Sequence, residues 1–164
     1  MQSTDMKKLN KFHIFAALAC VYAVCLFYLS SLSSPPGPPG IGFLYGLVHI
    51  LEDLGLKFIV YPFYLVYRYP DKFFHVLLYM GFGLLLNPAL SSSGNEVLTK
   101  YAAPFALLIG TLYGITDELH QFFVPYRSAS SLDLCADFIG LLCAQLGIIF
   151  YFGMKKWLSE KRRR

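Results

Sequence analysis

Four stretches of mostly apolar residues dominate this chain, at about Phe12–Leu32, Phe73–Leu90, Tyr101–Leu119 and Leu132–Phe152. Each is close to the roughly 20 residues that a helix needs to cross a bilayer. Lipid offers no hydrogen bonds to an open backbone, so runs of this length are confined to helices. With 56% hydrophobic and 17% aromatic residues against 15% charged ones, the 164-residue chain has too little polar surface for a soluble domain. The expectation is one all-α integral membrane domain over residues 1–164, with four transmembrane helices. Lys7, Lys8 and Lys11 precede the first run as in a signal peptide. That run is longer than a signal-peptide core and no A-x-A-like site follows it, so it reads as a retained anchor.

Between the first two runs, the Pro-Gly cluster at 35–40 ends the first helix. Residues 41–69 follow, rich in Tyr, Phe, Leu and Val, with Glu52, Asp53, Lys57 and Arg68 among them and Pro62 interrupting any single helix. This composition suits an interfacial aromatic segment among lipid headgroups; a fifth span is the competing reading. Charge distribution favours four spans. With the N-terminus cytoplasmic, the inside carries Lys7, Lys8, Lys11, Lys100, Lys155, Lys156, Lys161, Arg162, Arg163 and Arg164 against Asp5, Glu96 and Glu160. The outside then carries Lys57, Arg68, Lys72 and Arg127 against seven carboxylates. That split follows the positive-inside rule, with both termini cytoplasmic. The basic residues flank apolar runs and do not form a nucleic-acid footprint.

The same topology brings the stretch "DELHQFFVPYRSASSLDLCAD", residues 117–137, to the outer surface beside "DKFFHVLLY" at the start of the second span. Helical spacing then aligns Asp117 with Gln121, Asp133 with Asp137, Gly140, Ala144 and Gly147, and Asp71 with His75 and Tyr79. Gly110 and Gly114 form a GxxxG on the side of Asp117, which lets a neighbouring helix approach. Glu118 and Asp117 suit a general acid or base, His75 suits proton transfer, and Arg127 suits a bidentate grip on phosphate or carboxylate. A charge in lipid costs roughly 2.5–3.5 kcal/mol at a helix centre, so these groups should face protein or water.

Plainer roles exist for individual residues. Asp71 can cap the second helix, and Ser130 or Asp133 the fourth. Lys72 can snorkel to the headgroups, and Arg127 can form a structural ion pair with Asp133 or Asp117. His120 reads as a surface residue, and His13 and His49 lie outside the cluster. Cys20, Cys25, Cys135 and Cys143 read as small apolar packing residues, since no CxxC or Cys/His spacing occurs. Carboxylates with His75 can hold a divalent metal, but no HExxH or DxD spacing marks such a site, and no metal ligand is assigned. Capping alone does not need Lys72, His75, Asp117, Glu118, Arg127, Asp133 and Asp137 in one place.

Taken together, "DKFFHVLLYMGFGLLL" and "DELHQFFVPYRSASSLDLCADFIGLL" resemble the VanZ-like membrane proteins, named for a teicoplanin-resistance accessory protein. Their pattern has a basic residue and a histidine opening one helix, then D-E-x-x-Q-x-F-V-P-G-R, a short Ser-rich link and D-x-x-x-N/D-x-x-G. The matching positions are Lys72 and His75, then Asp117, Glu118, Gln121, Phe123, Val124, Pro125 and Arg127, then Ser130, Asp133, Asp137 and Gly140. Tyr126 stands where the pattern has glycine. The resemblance implies a small multi-span protein of the bacterial cell envelope that can lower susceptibility to the lipoglycopeptide teicoplanin. It implies no defined reaction.

Two readings remain open. In the first, the chain is an enzyme at the outer membrane face acting on a lipid-linked or cell-wall-related substrate. Glu118, Asp117 and His75 are then catalytic, and Lys72, Gln121, Arg127, Ser130, Asp133 and Asp137 bind the substrate. In the second, a non-catalytic protein binds a lipid, an envelope precursor or the antibiotic, or modulates a partner protein. A transporter is less favoured, because no inverted repeat or broken helix pair is evident.

Overall fold

A computed structural model of the protein describes residues 2–34, 41–60 and 68–163. Among these residues the secondary structure is entirely helical: α1 Gln2–Ser30, α2 Ile41–Asp53, α3 Lys57–Val60, α4 Pro70–Ser91, α5 Glu96–Lys100, α6 Ala102–Gln121 and α7 Ser131–Lys161. Among the described residues three segments are long and apolar enough to cross a membrane, namely Lys11–Ser30, Pro70–Ser91 and Ser131–Lys161. They correspond to the first, second and fourth expected spans. The third expected span is the 20-residue α6, whose last turn holds the buried polar residues Asp117, Glu118 and Gln121. The fourth expected span runs on past Phe152 to Lys161, carrying the helix into the basic tail.

The interior and exterior are inverted relative to a soluble protein. Ile14, Leu18, Val21, Val24 and Phe27 of α1 and Leu146, Ile149 and Phe150 of α7 point outward. Asn87, Asp117, Glu118, Gln121, Asp133, Asp137 and Gln145 are buried. Hydrocarbon solvates the former and cannot solvate the latter. Cys20, Cys25, Cys135 and Cys143 are free and exposed. They lie on outward faces, which corrects their reading as packing residues.

The segment after α1 folds into short pieces. Helix α2 is 13 residues long, too short to span. It ends at Gly55, with φ of +75°; the Gly55 amide donates to the Glu52 carbonyl and the Leu56 amide to the Leu51 carbonyl, a Schellman motif. Within 41–60 no described helix is long enough for a fifth span. The Pro-Gly cluster at 35–40 and the interruption at Pro62 lie outside the described residues.

Helix α4 is the hub, packed against α1, α6 and most extensively α7. It meets α7 at Gly140, where any side chain would strike the Val76 carbonyl and, at 2.9 Å, the Met80 amide nitrogen. The absence of a side chain therefore lets two backbones touch. Leu141 fits against Gly110 of α6, and Gly114 leaves room for the Asp137 carboxylate, which a Cβ would approach to 3.2 Å. The GxxxG thus receives α7, as its spacing predicts. The stripe on α7 is buried from Asp133 to Ala144, but Gly147 is exposed with nothing nearby.

Tyr22, Tyr79, Phe82, Leu86, Ala106, Tyr113 and Leu141 belong to the apolar core or pack on it. At one end of it, the Asn87 amide donates to Gln145 Oε1 (2.6 Å) and Gln145 Nε2 to the Gly83 carbonyl (3.3 Å), tying α4 to α7. Helix α1 is attached by its buried Ala19 and Leu26 and by tyrosine hydroxyls: Tyr22 donates to the Leu78 carbonyl (3.0 Å) and Tyr113 to the Ala23 carbonyl (2.6 Å). The pairing His75–Asp137, Gly83–Ala144 and Asn87–Gln145 shows α4 and α7 parallel. Helix α6 runs against both, with Gly110 at Leu141 and Gly114 nearer the start of α7 at Leu134 and Asp137. The starts of α4 and α7 and the end of α6 therefore meet at one end of the bundle.

Gly140→Ala should destabilise the protein by about 1–3 kcal/mol, because backbone cannot yield to the added methyl. Gly147→Ala should leave stability within about 1 kcal/mol of wild type, since the position is open and alanine favours helix. Thermal melts of the two variants in detergent check the contrast.

Candidate functional site

At the shared end of the bundle, local sequence sets each polar side chain. Helix α4 starts with Pro70 in its first turn, after Tyr69, with no side-chain cap. Asp71 therefore does not cap the helix. It lies outward and pairs with Lys72, 3.0 Å away. Lys72 also pairs with the buried Asp133 at the start of α7, so it does more than snorkel to headgroups. One turn deeper, His75 Nδ1 is 2.8 Å from Asp137 Oδ1. Asp137 is 0% exposed. These two contacts join α4 to α7 just above the Gly140 crossing.

Helix α6 supplies the third wall. Its Asp117 and Glu118 are both buried. Gln121 Nε2 donates to Asp117 Oδ2 (3.1 Å), a pairing within one helical turn. Glu118 Oε2 accepts a 2.6 Å bond from the Ser130 amide. Ser130 in turn caps α7, its hydroxyl accepting from the Asp133 amide at 3.4 Å. Glu118 therefore holds the link between α6 and α7 in place, and Ser130 rather than Asp133 is the cap.

That link turns through Tyr126, which has φ of +63°. This left-handed conformation costs a residue with a Cβ roughly 1–2 kcal/mol and costs glycine little. The turn keeps the backbone form expected of glycine although tyrosine occupies it, and the ring is 97% exposed. Arg127 follows, its amide donating to the Val124 carbonyl (3.1 Å). Its guanidinium makes no ion pair among the described residues, and Nε is buried without a hydrogen-bond partner. The expected pairing with Asp133 or Asp117 is not formed.

The cluster is richer in acceptors than in donors. Asp117 Oδ1, Glu118 Oε1 and Asp137 Oδ2 are buried and accept no hydrogen bond from a described residue. One ring nitrogen of His75 and one carboxylate oxygen each of Glu118 and Asp137 lie within 4.8 Å of one another. Asp117, bonded within its own helix, is outside that group. Tyr79 lies beneath, almost fully buried with its hydroxyl unpartnered. The sequence placed Tyr79 in line with His75 by spacing, but nothing in it marked the ring as the floor of the site. His120, read as a surface residue, is instead half-buried at the rim, with Nε2 3.0 Å from Ser31 Oγ and its ring centroid 4.4 Å from that of Phe27. Two clefts among the described residues lie away from the site, one along Tyr151, Lys155 and Arg162 and one at Tyr101 and Phe105.

Lys72→Met leaves buried Asp133 without its cation and should cost about 1–3 kcal/mol, between the values for exposed and fully buried pairs. Asp71→Asn, at the exposed partner, should stay within about 0.5 kcal/mol of wild type. Denaturant titrations of both variants in detergent check the order.

No curated protein and no solved structure matches the chain. A sequence model of the family described as VanZ/LLP1 matches residues 15–154, which takes in the second half of α1, all three walls of the site and most of α7. A bundle of apolar-faced helices with its carboxylates turned inward is the arrangement of a membrane protein, and this chain belongs to the VanZ/LLP1 family.

Proposed function

We propose that the protein is an enzyme of the bacterial cell membrane, with four spans and both termini cytoplasmic, whose polar end faces outward. Its substrate is a lipid-linked or cell-wall-related molecule, and its activity contributes to tolerance of teicoplanin and related lipoglycopeptides. The link to the antibiotic comes from the resemblance to VanZ-like proteins. Glu118 carries the catalytic reading. It is a buried carboxylate with one oxygen fixed by the Ser130 amide and the other unpartnered beside His75 and Asp137.

In this reading Glu118 is the general acid or base, with Asp117 behind it in the same turn. His75 passes protons, held in position by Asp137 through the 2.8 Å contact. Arg127, free of ion pairs among the described residues, binds an anionic group of the substrate, with Lys72 on the opposite wall. Gln121, Ser130, Asp133 and Asp137 complete the lining. In this reading the short described helices α2 and α3 cover the lipid portion.

A second reading, a non-catalytic protein that binds a lipid, an envelope precursor or the antibiotic or modulates a partner, is favoured by one observation. Lys72 is already engaged by Asp71 and Asp133, as in a static recognition surface.

Glu118→Gln separates the two. It keeps shape and an acceptor for the Ser130 amide while removing the charge. In a teicoplanin-susceptible Gram-positive host, at matched protein levels, catalysis predicts that wild type protects and Glu118→Gln loses essentially all protection. A loss of less than about twofold, with larger losses only as several contacts are removed together, favours the binding reading. Absence of protection by wild type removes the antibiotic role.

A further inference from the structure

From the meeting of three helices at one point, we infer that His75 of α4, Glu118 of α6 and Asp137 of α7 form a binding site for a divalent cation. Each contributes one ligand atom, and these atoms lie within 4.8 Å of one another. Ligands about 2.0–2.2 Å from a cation lie about 3.3–3.6 Å apart in a tetrahedral shell, so closing the widest pair by up to about 1.5 Å completes it. Glu118 is 7% exposed and Asp137 0%. Each keeps one oxygen, Oε1 and Oδ2 respectively, that accepts no hydrogen bond from a described residue. Buried carboxylate oxygens in that condition are costly unless a cation meets them.

The charges around the cluster point the same way. Asp117 and Asp133 are also buried here. Lys72 pairs with Asp71 and Asp133 and with neither Glu118 nor Asp137 among the described contacts. Arg127 forms no ion pair among the described residues. Among the described residues the only basic partner of Asp137 is His75, itself a ligand, and Glu118 forms no ion pair.

One imidazole and two carboxylates make a mixed nitrogen and oxygen set suited to Mn²⁺ or Zn²⁺. Three protein ligands leave coordination positions open, as in catalytic rather than structural sites. An oxygen of an anionic substrate can take such a position, with Lys72, held at Asp133 one turn above Asp137, to share its charge. This role for the cation rests on the catalytic reading above; its binding does not. The ligands come from three helices far apart in sequence, which is why no local motif announces them.

The test uses the full-length protein in detergent, stripped with a chelator and dialysed. Mn²⁺ is titrated by electron paramagnetic resonance, with Zn²⁺ as competitor and thermal melting as a second readout. Wild type should bind about one Mn²⁺ per chain, displaced by Zn²⁺, with a rise in Tm. Glu118→Gln and Asp137→Asn should bind at least about tenfold more weakly, while Glu96→Gln, an exposed carboxylate on α5, should bind as wild type does. If Asp137→Asn fails to fold, the isosteric Glu118→Gln decides. Folded wild type that binds neither ion at millimolar concentration, or a folded Glu118→Gln that binds as wild type does, overturns the site. Binding by wild type with loss in the variants, but no protection in cells, keeps the site and removes the proposed function. Protection that depends on Glu118 without cation binding does the reverse.

Discussion

Lipid cannot hydrate a carboxylate, and the rest of the structure follows from that constraint. Every buried charge on α4, α6 and α7 must be turned toward another helix, so the polar faces decide which surfaces meet. Glycines then decide how closely. Gly140 brings the backbone of α7 against Val76 and Met80, and the same crossing puts Asp137 one turn away from it, beside His75. Gly114 opens α6 for the other edge of the same carboxylate. The site and the closest packing in the bundle are therefore one feature, because small residues that admit a neighbouring helix also admit the side chains it carries.

Such an arrangement exceeds what stability requires. The apolar core, the Asn87–Gln145 clamp and the tyrosine hydroxyls of α1 and α6 hold the helices together without any charge. The charged cluster adds two pairs between α4 and α7 but also gathers carboxylate oxygens that no donor meets. Buried ion pairs are weak contributors to folding, and surplus acceptors oppose it. Groups kept under those conditions are characteristic of sites that must meet something else, whether substrate, proton or cation.

Much of this was legible in the sequence, and for identifiable reasons. A run of about 20 apolar residues has few alternatives to a helix, so all four helices were found and α4 and α6 came close to their observed bounds. Helix α1 begins ten residues earlier and α7 ends nine later, because polar residues at the ends of the apolar runs continue the helices. Period counting aligned Asp133 and Asp137 with Gly140 and Ala144, and His75 with Tyr79, because helical geometry is fixed. Ser130 followed by a helix three residues before Asp133 was readable as a cap. The failures concern what each face meets. Spacing cannot tell an outward face from an inward one when both are apolar, so the four cysteines and Gly147 were assigned inward. Asp71 looked like a cap, but Pro70 starts the helix one residue earlier. His120 was missed because its partners, Phe27 at the end of α1 and Ser31 just after it, are about 90 residues away in sequence. Topology brought His75, Glu118 and Asp137 to one end of the bundle, but spacing could not single these three out from the other polar groups there, since three helices contribute one residue each.

The central claim is that the meeting point of α4, α6 and α7 opens at the outer face of the membrane, and Tyr126, 97% exposed at its rim, reports on it. The most direct measurement is Tyr126→Cys in a chain whose four native cysteines are replaced, treated in intact cells with a membrane-impermeant maleimide. An outward site predicts labelling of intact cells as complete as that after permeabilisation. Labelling only after permeabilisation would put the cluster on the cytoplasmic side and contradict the proposed orientation and substrate.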